Sequence, residues 1–309
     1  MLSYLHGYHA GNAADVLKHS VLLFCLTYLK KKDKPLLCVD THAGSGMYDL
    51  SQTSAQPNRE WGSGIGRLLN HSSTLPEMLS LYLQHAAPET AALLSYSGSP
   101  AIMATMLTKG DRLVCFELHP KEATSLDSVM QKIRKARTIS IEVRKEDGLG
   151  GLTSLLPPPS RRALILVDPS WEEASEYETV PRYIHDALKR FPEGTYIVWY
   201  PLLAVSKGAH PFSKPIQDAL FTLDAYHGNN RERLKRCRVE LYTRQPNQYP
   251  PSTEGAAEKG KSPRNMYGSG LVIYNPPWTL QTALKEALPY LAKTLGSSSD
   301  AWRLDWSGE

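Results

Sequence analysis

The sequence predicts an α/β open sheet, mostly parallel, with helices on both faces, and three observations carry that prediction. Apolar, β-rich runs alternate with helical periods along the chain, the pattern of a buried parallel sheet joined by crossover helices. Four consecutive strands end in an acid: Asp40, Glu117, Asp147 and Asp168. The first is followed by Gly44-Ser-Gly46, a turn that lets the backbone fold tightly and approach a ligand at the carboxyl end of a sheet.

Residues 1–12 hold Tyr4, His6, Tyr8, His9, Gly11 and Asn12, too polar and aromatic for a routine helix start. Residues 13–31 repeat apolar side chains at helical spacing (Val16, Leu17, Val21, Leu22, Cys25) and close on a lysine cluster, so they read as a helix. Lys18 and His19 fall on it; periodicity alone makes them a solvated lysine and a half-exposed histidine. Residues 34–40 form the first strand. Residues 51–97 then break the alternation with short apolar periods separated by Pro57, Pro76 and Pro88, which reads as a helical insertion. Ser99 and Pro100 suit the N-cap and first position of the next helix.

The sheet resumes with strands at 111–117, 138–144, 162–168, 194–201, 236–242 and 268–275, giving seven strands in all. Residues 245–264 are rich in Pro, Gly, Glu and Lys without periodicity and read as a disordered surface loop. One helix, 279–295, and a short tail with Trp302 and Trp306 finish the chain. Residues 1–309 therefore read as a single domain, and 309 residues with 41% hydrophobic content suffice for its core.

A net charge of +4 is too small for binding a polyanion over the whole surface, so nucleic acid would be met by a local patch. Lys30, Lys31, Lys32, Arg161, Arg162 and the cluster at 231–238 are the candidates for phosphate contact. The four cysteines are scattered, without zinc spacing, and read as free thiols of a reducing compartment. The start lacks the features of a signal peptide and no apolar run reaches bilayer length, so the expectation is a soluble, cytoplasmic protein without membrane contact.

The chemistry concentrates at Asp168-Pro169-Ser170-Trp171. An acid at a strand end, a carbonyl freed from regular pairing by proline and a flat ring suit the amino edge and face of a nucleobase. Gly44-x-Gly46 lacks the third glycine of a dinucleotide fingerprint, and no Gly-Lys-Ser/Thr follows it, which counts against NAD and P-loop readings. His6, His9, His19 and His42 lack tight ligand spacing, so no metal is expected.

The order glycine turn, acid, Asp-Gly and Asp-Pro-x-aromatic resembles the Rossmann-like class I methyltransferases that use S-adenosyl-L-methionine. The match is closer still. Tyr4-x-His6-x-x-His9-Ala-Gly11-Asn12, Asp15 with Lys18-His19, Asp40-Thr-His42-Ala-Gly44, Tyr96-Ser-Gly98-Ser99-Pro100, Glu117-Leu-His119-Pro120, Trp199-Tyr200-Pro201 and Asn275-Pro-Pro277-Trp278 resemble the bacterial RlmJ family of 23S ribosomal RNA adenine-N6 methyltransferases, nearly end to end. That resemblance implies cofactor contacts from His19, His42, Gly44, Ser99, Glu117, Asp147, Gly148 and Asp168, with Glu117 on the ribose hydroxyls and Asp147 on the adenine amine. Tyr4 and Lys18 fall near the substrate base, whose amine is held by the Asp168 carboxylate and the Pro169 carbonyl while Trp171 stacks on it. It also implies a monomer acting on protein-free or early-assembly large-subunit rRNA, and makes 245–264 extra relative to the family.

One departure stands out. Ser170 occupies the place of the second proline in the family motif, which predicts a less rigid loop. The alternatives are an adenine methyltransferase acting on DNA or another RNA, an acceptor such as a glutamine amide, and a homologue that binds RNA or cofactor without turnover.

Overall fold

The computed structural model describes residues 9–50, 60–70, 75–87, 95–203, 213–223, 226–227, 232–245 and 266–307. Its strands are β1 Leu37–Asp40, β2 Met47–Asp49, β3 Ser95–Ser97, β4 Arg112–Phe116, β5 Ser140–Arg144, β6 Ala163–Val167, β7 Thr195–Leu203, β8 Tyr226–His227, β9 Glu232–Arg233, β10 Arg236–Tyr242, β11 Met266–Tyr274 and β12 Trp302–Ser307. The helices are α1 Ala13–Lys30, α2 Glu60–Ser63, α3 Ile65–Asn70, α4 Glu77–Ala86, α5 Ser99–Met106, α6 Pro120–Ala136, α7 Gly148–Leu152, α8 Glu176–Arg190, α9 Ser213–Thr222 and α10 Leu280–Leu295.

Eight strands make the main sheet, in the order β12-β10-β11-β7-β6-β1-β4-β5. The run from β5 to β7 is parallel, while β11, β10 and β12 are antiparallel to their neighbours. The chain order therefore reverses direction at β1, which lies between β4 and β6. Such a switch point opens a crevice at the carboxyl ends of the strands. Asp40 ends β1 there, in register with Cys115 of β4 and Leu166 of β6.

Two apolar layers cover the sheet. On one face α1, α5, α6 and α10 pack through Leu17, Leu22, Ile102, Leu126 and Leu288; on the other α7, α8 and α9 pack through Leu149, Ile184 and Leu220. The central strand β6 is buried along its whole length, which is why it reads as an uninterrupted Ala-Leu-Ile-Leu-Val run rather than an alternation.

The eighth strand was not legible as one. β12 pairs along β10, placing Trp302, Leu304 and Trp306 against the core while Arg303 and Asp305 face the other way. Its period-2 pattern is real, but a six-residue tail resembles an unstructured end until a partner strand is known. Within 51–97 the described parts are helices α2, α3 and α4 and strand β3, which pairs with β2 just before the segment; 51–59, 71–74 and 88–94 lie outside the described residues, as does 246–264. The helix after β3 is capped one residue earlier than expected: Gly98 is the N-cap and Ser99 the first helical residue. α8 begins at Glu176 although Pro181 lies inside it, because a proline in the second turn removes a single backbone hydrogen bond and leaves the rest intact.

β12 also supplies a charge. Arg238 of β10 is buried and its guanidinium lies 2.6 Å from Asp305 Oδ2 and 3.5 Å from Asp218. Replacing Asp305 with alanine removes the nearer partner of a buried cation. The expected loss is about 2 kcal/mol, less than for a fully enclosed pair because Asp305 is partly exposed, read as a lower urea midpoint at unchanged slope.

Candidate active site

A cavity of about 430 Å³ opens at the carboxyl ends of the parallel strands, between the β1 and β4 turns and the loop after β6. Its wall includes Lys18, His19, His42, Gly44, Ser99, Glu117, Asp147, Gly148 and Asp168. Lys18 and His19 come from α1, and the others come from the turns and helix starts that follow β1, β3, β4, β5 and β6, which place these segments at the same edge.

Two glycines make room. Gly44 has φ +59°, in the left-handed region, where a side chain is strained. Gly148 begins α7 against the β1 turn, and a Cβ there would overlap the Thr41 carbonyl oxygen.

The carboxylates are held by backbone donors. Glu117 accepts from the amides of Gly44 (2.8 Å) and His119 (2.7 Å). Burial still pushes its carboxyl above the ordinary value, those two bonds offsetting only part of the cost, so further donors such as ribose hydroxyls would be welcome. Asp147 is the N-cap of α7, accepting from Leu149 (3.1 Å) and Gly150 (3.0 Å). That tie fixes its carboxylate at the cavity wall.

At the inner end lies a buried ion cluster. Lys18 is 2% exposed, and its ammonium lies 2.5 Å from Asp168 Oδ2 and 2.8 Å from Asp15 Oδ1. Burial opposes the charge, yet Asp15 and Asp168 outweigh it and raise the Lys18 pKa above the ordinary lysine value. Asp15 is itself fixed by the Gly11 amide, 2.9 Å from its Oδ2. His19 is 1% exposed, shares a 2.7 Å hydrogen bond with the Tyr96 hydroxyl and stacks on that ring. Periodicity alone had both residues at the surface. A helix buried on nearly every side hides its polar positions as thoroughly as its apolar ones.

His42 shares a 2.8 Å hydrogen bond with Thr41 Oγ1, and burial depresses its pKa to about 4, so the imidazole is neutral at physiological pH. Asp40 is fully buried beside this cluster. Burial raises its carboxyl to about 7, against the pull of the Ser99 hydroxyl, which is hydrogen-bonded to it, and with the neighbouring Asp168 pushing further upward. Ser99 thus serves a carboxylate rather than a helix end. Asp15 and Asp40 belong to the site although neither was assigned a role from sequence; the i,i+3 spacing of Asp15 and Lys18 was the available signal.

One expected position differs and one is not described. Trp171, the ring expected to stack on a base, is 0% exposed and donates its indole N–H to the Trp199 carbonyl at 3.0 Å. It anchors the loop in the core and does not line the cavity, and its backbone sits at a φ of +55°. Tyr4 lies outside the described residues. The candidate phosphate contacts are largely engaged elsewhere. Lys30 pairs with Asp111, Arg161 with Glu193, and Arg162 and Arg236 donate to main-chain carbonyls. The first three lie beside the amino ends of the parallel strands, away from the cavity.

The remaining wall is acidic: Glu122, Glu146, Glu172, Glu173 and Glu176 join Glu117, Asp147 and Asp168, and Lys18 is already committed to its two partners. This set of hydrogen-bond acceptors fits a cationic ligand that carries ribose hydroxyls and an exocyclic amine, as S-adenosylmethionine does, and it repels phosphate. Among the described residues no group of His, Cys, Asp or Glu is arranged to hold a metal ion, and no helix is long and apolar enough to cross a membrane.

A sheet switched at β1, a glycine turn after it and acids at successive strand ends around this cavity define a class I methyltransferase that uses S-adenosylmethionine. The profile of the family described as "Ribosomal RNA large subunit methyltransferase D, RlmJ" matches residues 33–216 and 254–308. The chain is 35% identical to the Ribosomal RNA large subunit methyltransferase J of Haemophilus influenzae, with 99% of each chain covered. It is 36% identical to the protein of that name from Escherichia coli, covering 96% of this chain and 94% of the other. The crystal structure of protein LPL1258 from Legionella pneumophila superposes with a TM-score of 0.78 at 30% identity, covering 97% of this chain and 98% of that one. The chain belongs to the RlmJ family of ribosomal RNA large subunit methyltransferases. The family match resumes at residue 254, inside the 245–264 stretch that was expected to be extra.

The buried acid gives a pH test. Between its ordinary value near 3.8 and about 7, folded Asp40 keeps a proton that the unfolded chain releases. Its contribution to stability is therefore full at low pH and lost as pH rises through 7. Asp40→Asn removes this dependence, so the melting temperature of the variant relative to wild type should climb between pH 4 and pH 8. A pH-independent offset would show that Asp40 is not buried as described.

Proposed function

We propose that the protein transfers a methyl group from S-adenosylmethionine to the N6 amine of an adenine in large-subunit ribosomal RNA. The observation that carries this reading is Asp168 at the end of β6, facing the same cavity as Glu117 and Asp147 and followed by Pro169. The names borne by the two bacterial relatives support the rRNA part of it.

S-adenosylmethionine supplies an electrophilic methyl on a sulfonium. For that ligand, Glu117 takes the ribose hydroxyls and Asp147 the adenine amine, Gly44 and Gly148 permit close approach, and His19, His42 and Ser99 complete the wall. His42, being neutral, adds no positive charge to a wall that would hold a sulfonium.

An exocyclic adenine amine is a poor nucleophile because its lone pair is delocalised into the ring. Accepting its two N–H bonds at the Asp168 carboxylate and the Pro169 carbonyl localises the lone pair and aims it at the methyl. Lys18 occupies Asp168 Oδ2, which leaves Oδ1 to the amine and fixes the carboxylate's rotation. The site therefore acts mainly through position and electrostatics, and the product amine can lose its proton to water. Tyr4 remains the sequence-derived candidate for contact with the base. The acidic rim admits a base and keeps its phosphates outside, which favours an unpaired or looped adenine that can leave its stack. Protein-free or early-assembly rRNA and a monomeric enzyme complete the reading.

Incubation with S-adenosylmethionine and protein-free large-subunit rRNA, followed by nucleoside mass spectrometry, should yield new N6-methyladenosine. Asp168→Ala should lower the rate by at least about a hundredfold. Methylation at another atom, or full activity in the variant, would refute the assignment.

A further inference from the structure

The loop that carries Asp168 departs from the related motif at Ser170, and its surroundings show what the serine does. Ser170 Oγ lies 3.4 Å from both carboxylate oxygens of Glu176, and the Glu172 amide donates to the same hydroxyl at 3.4 Å. Glu176 Oε2 also accepts the Glu173 amide at 3.1 Å. Glu176 is the first residue of α8, where free backbone amides favour an anion. One residue on, Tyr177 donates its hydroxyl to the Trp171 carbonyl (3.4 Å), and its ring packs against the Trp171 ring at 5.2 Å.

The loop is thus tied twice. Below, Trp171 is held in the left-handed region by its buried ring and its bond to Trp199, a conformation that persists only when the surroundings over-determine it. Above, at the cavity wall, Ser170 meets Glu176. Between the two ties run the chain atoms that follow Asp168 and Pro169. A proline at 170 would restrict this segment through its ring; the serine restricts it through a three-way contact with a carboxylate and an amide. Each bond is long, so their joint effect falls on position more than on global stability.

We propose that Ser170 and Glu176 are positioning residues for methyl transfer, their contact replacing the restraint of the missing second proline and holding the Asp168 carboxylate and Pro169 carbonyl on the acceptor amine. The inference rests on the reading of Asp168 given above. It runs against the expectation that serine loosens the loop.

The test compares full-length wild type with Ser170→Ala, Glu176→Ala and Ser170→Pro. Amide hydrogen exchange at Glu172, which donates to Ser170, and at Glu173, which donates to Glu176, reports the two arms of the tie without any need for activity; kcat on rRNA and the Kd for S-adenosylmethionine report its consequence. Exchange should be several-fold faster at Glu172 in Ser170→Ala and at Glu173 in Glu176→Ala, and both variants should lose about tenfold in kcat, since small misplacements of reacting groups are expensive, at unchanged cofactor Kd. Ser170→Pro should restore kcat to within about twofold of wild type, a rescue that no loss of general stability would produce.

Unchanged exchange in the alanine variants overturns the tie. Faster exchange with wild-type kcat, a parallel loss of cofactor binding, or failure of proline to rescue overturns the positioning role. If the wild type itself makes no N6-methyladenosine, the functional reading fails, while the exchange comparison still decides whether the tie exists.

Discussion

The buried ammonium of Lys18 is the interaction on which the site depends. The switch point of the sheet brings Asp168 from β6 and Asp40 from β1 to one place, and α1 adds Asp15. Carboxylates gathered away from water repel one another and lose hydration unless a cation joins them. Lys18 reaches two of them from one turn of α1, and the third, Asp40, has a carboxyl raised to about 7. The N-terminal helix therefore forms part of the cavity wall, and in the proposed reaction its burial against the sheet serves chemistry as well as packing.

The rest of the cavity follows from where charge is wanted and where it is excluded. Glu117 and Asp147 are fixed by backbone amides before any ligand arrives, so little reorganisation is left for binding. The acidic wall favours a sulfonium and disfavours a phosphate, which separates the two ligands electrostatically. Below Asp168, Trp171 trades contact with the base for a place in the core, and the loop gains a fixed origin from which Ser170 and Glu176 can set its upper edge.

Much of this was legible in the sequence because it is written in backbone terms. Buried parallel strands are continuous apolar runs, and the acids that follow them must lie at the carboxyl edge, so Asp40, Glu117, Asp147 and Asp168 could be placed before any coordinates. What escaped was tertiary. Lys18 and His19 are buried because both sides of α1 are covered, which its own periodicity cannot show. Trp171 points inward to a partner the motif does not show, the Trp199 carbonyl. β12 is a strand only because β10 offers it an edge, and Ser99 serves Asp40 rather than its helix because β1 ends beside it.

A double-mutant cycle on folding stability tests the role of Lys18 most directly, with Lys18→Met, Asp168→Asn and the pair compared with wild type. If the ammonium holds the carboxylates together, Asp168→Asn destabilises the protein while Lys18 is present and stabilises it once Lys18 is methionine, because the substitution then removes one of two unshielded anions. An Asp168→Asn effect of the same sign and size in both backgrounds would contradict the account.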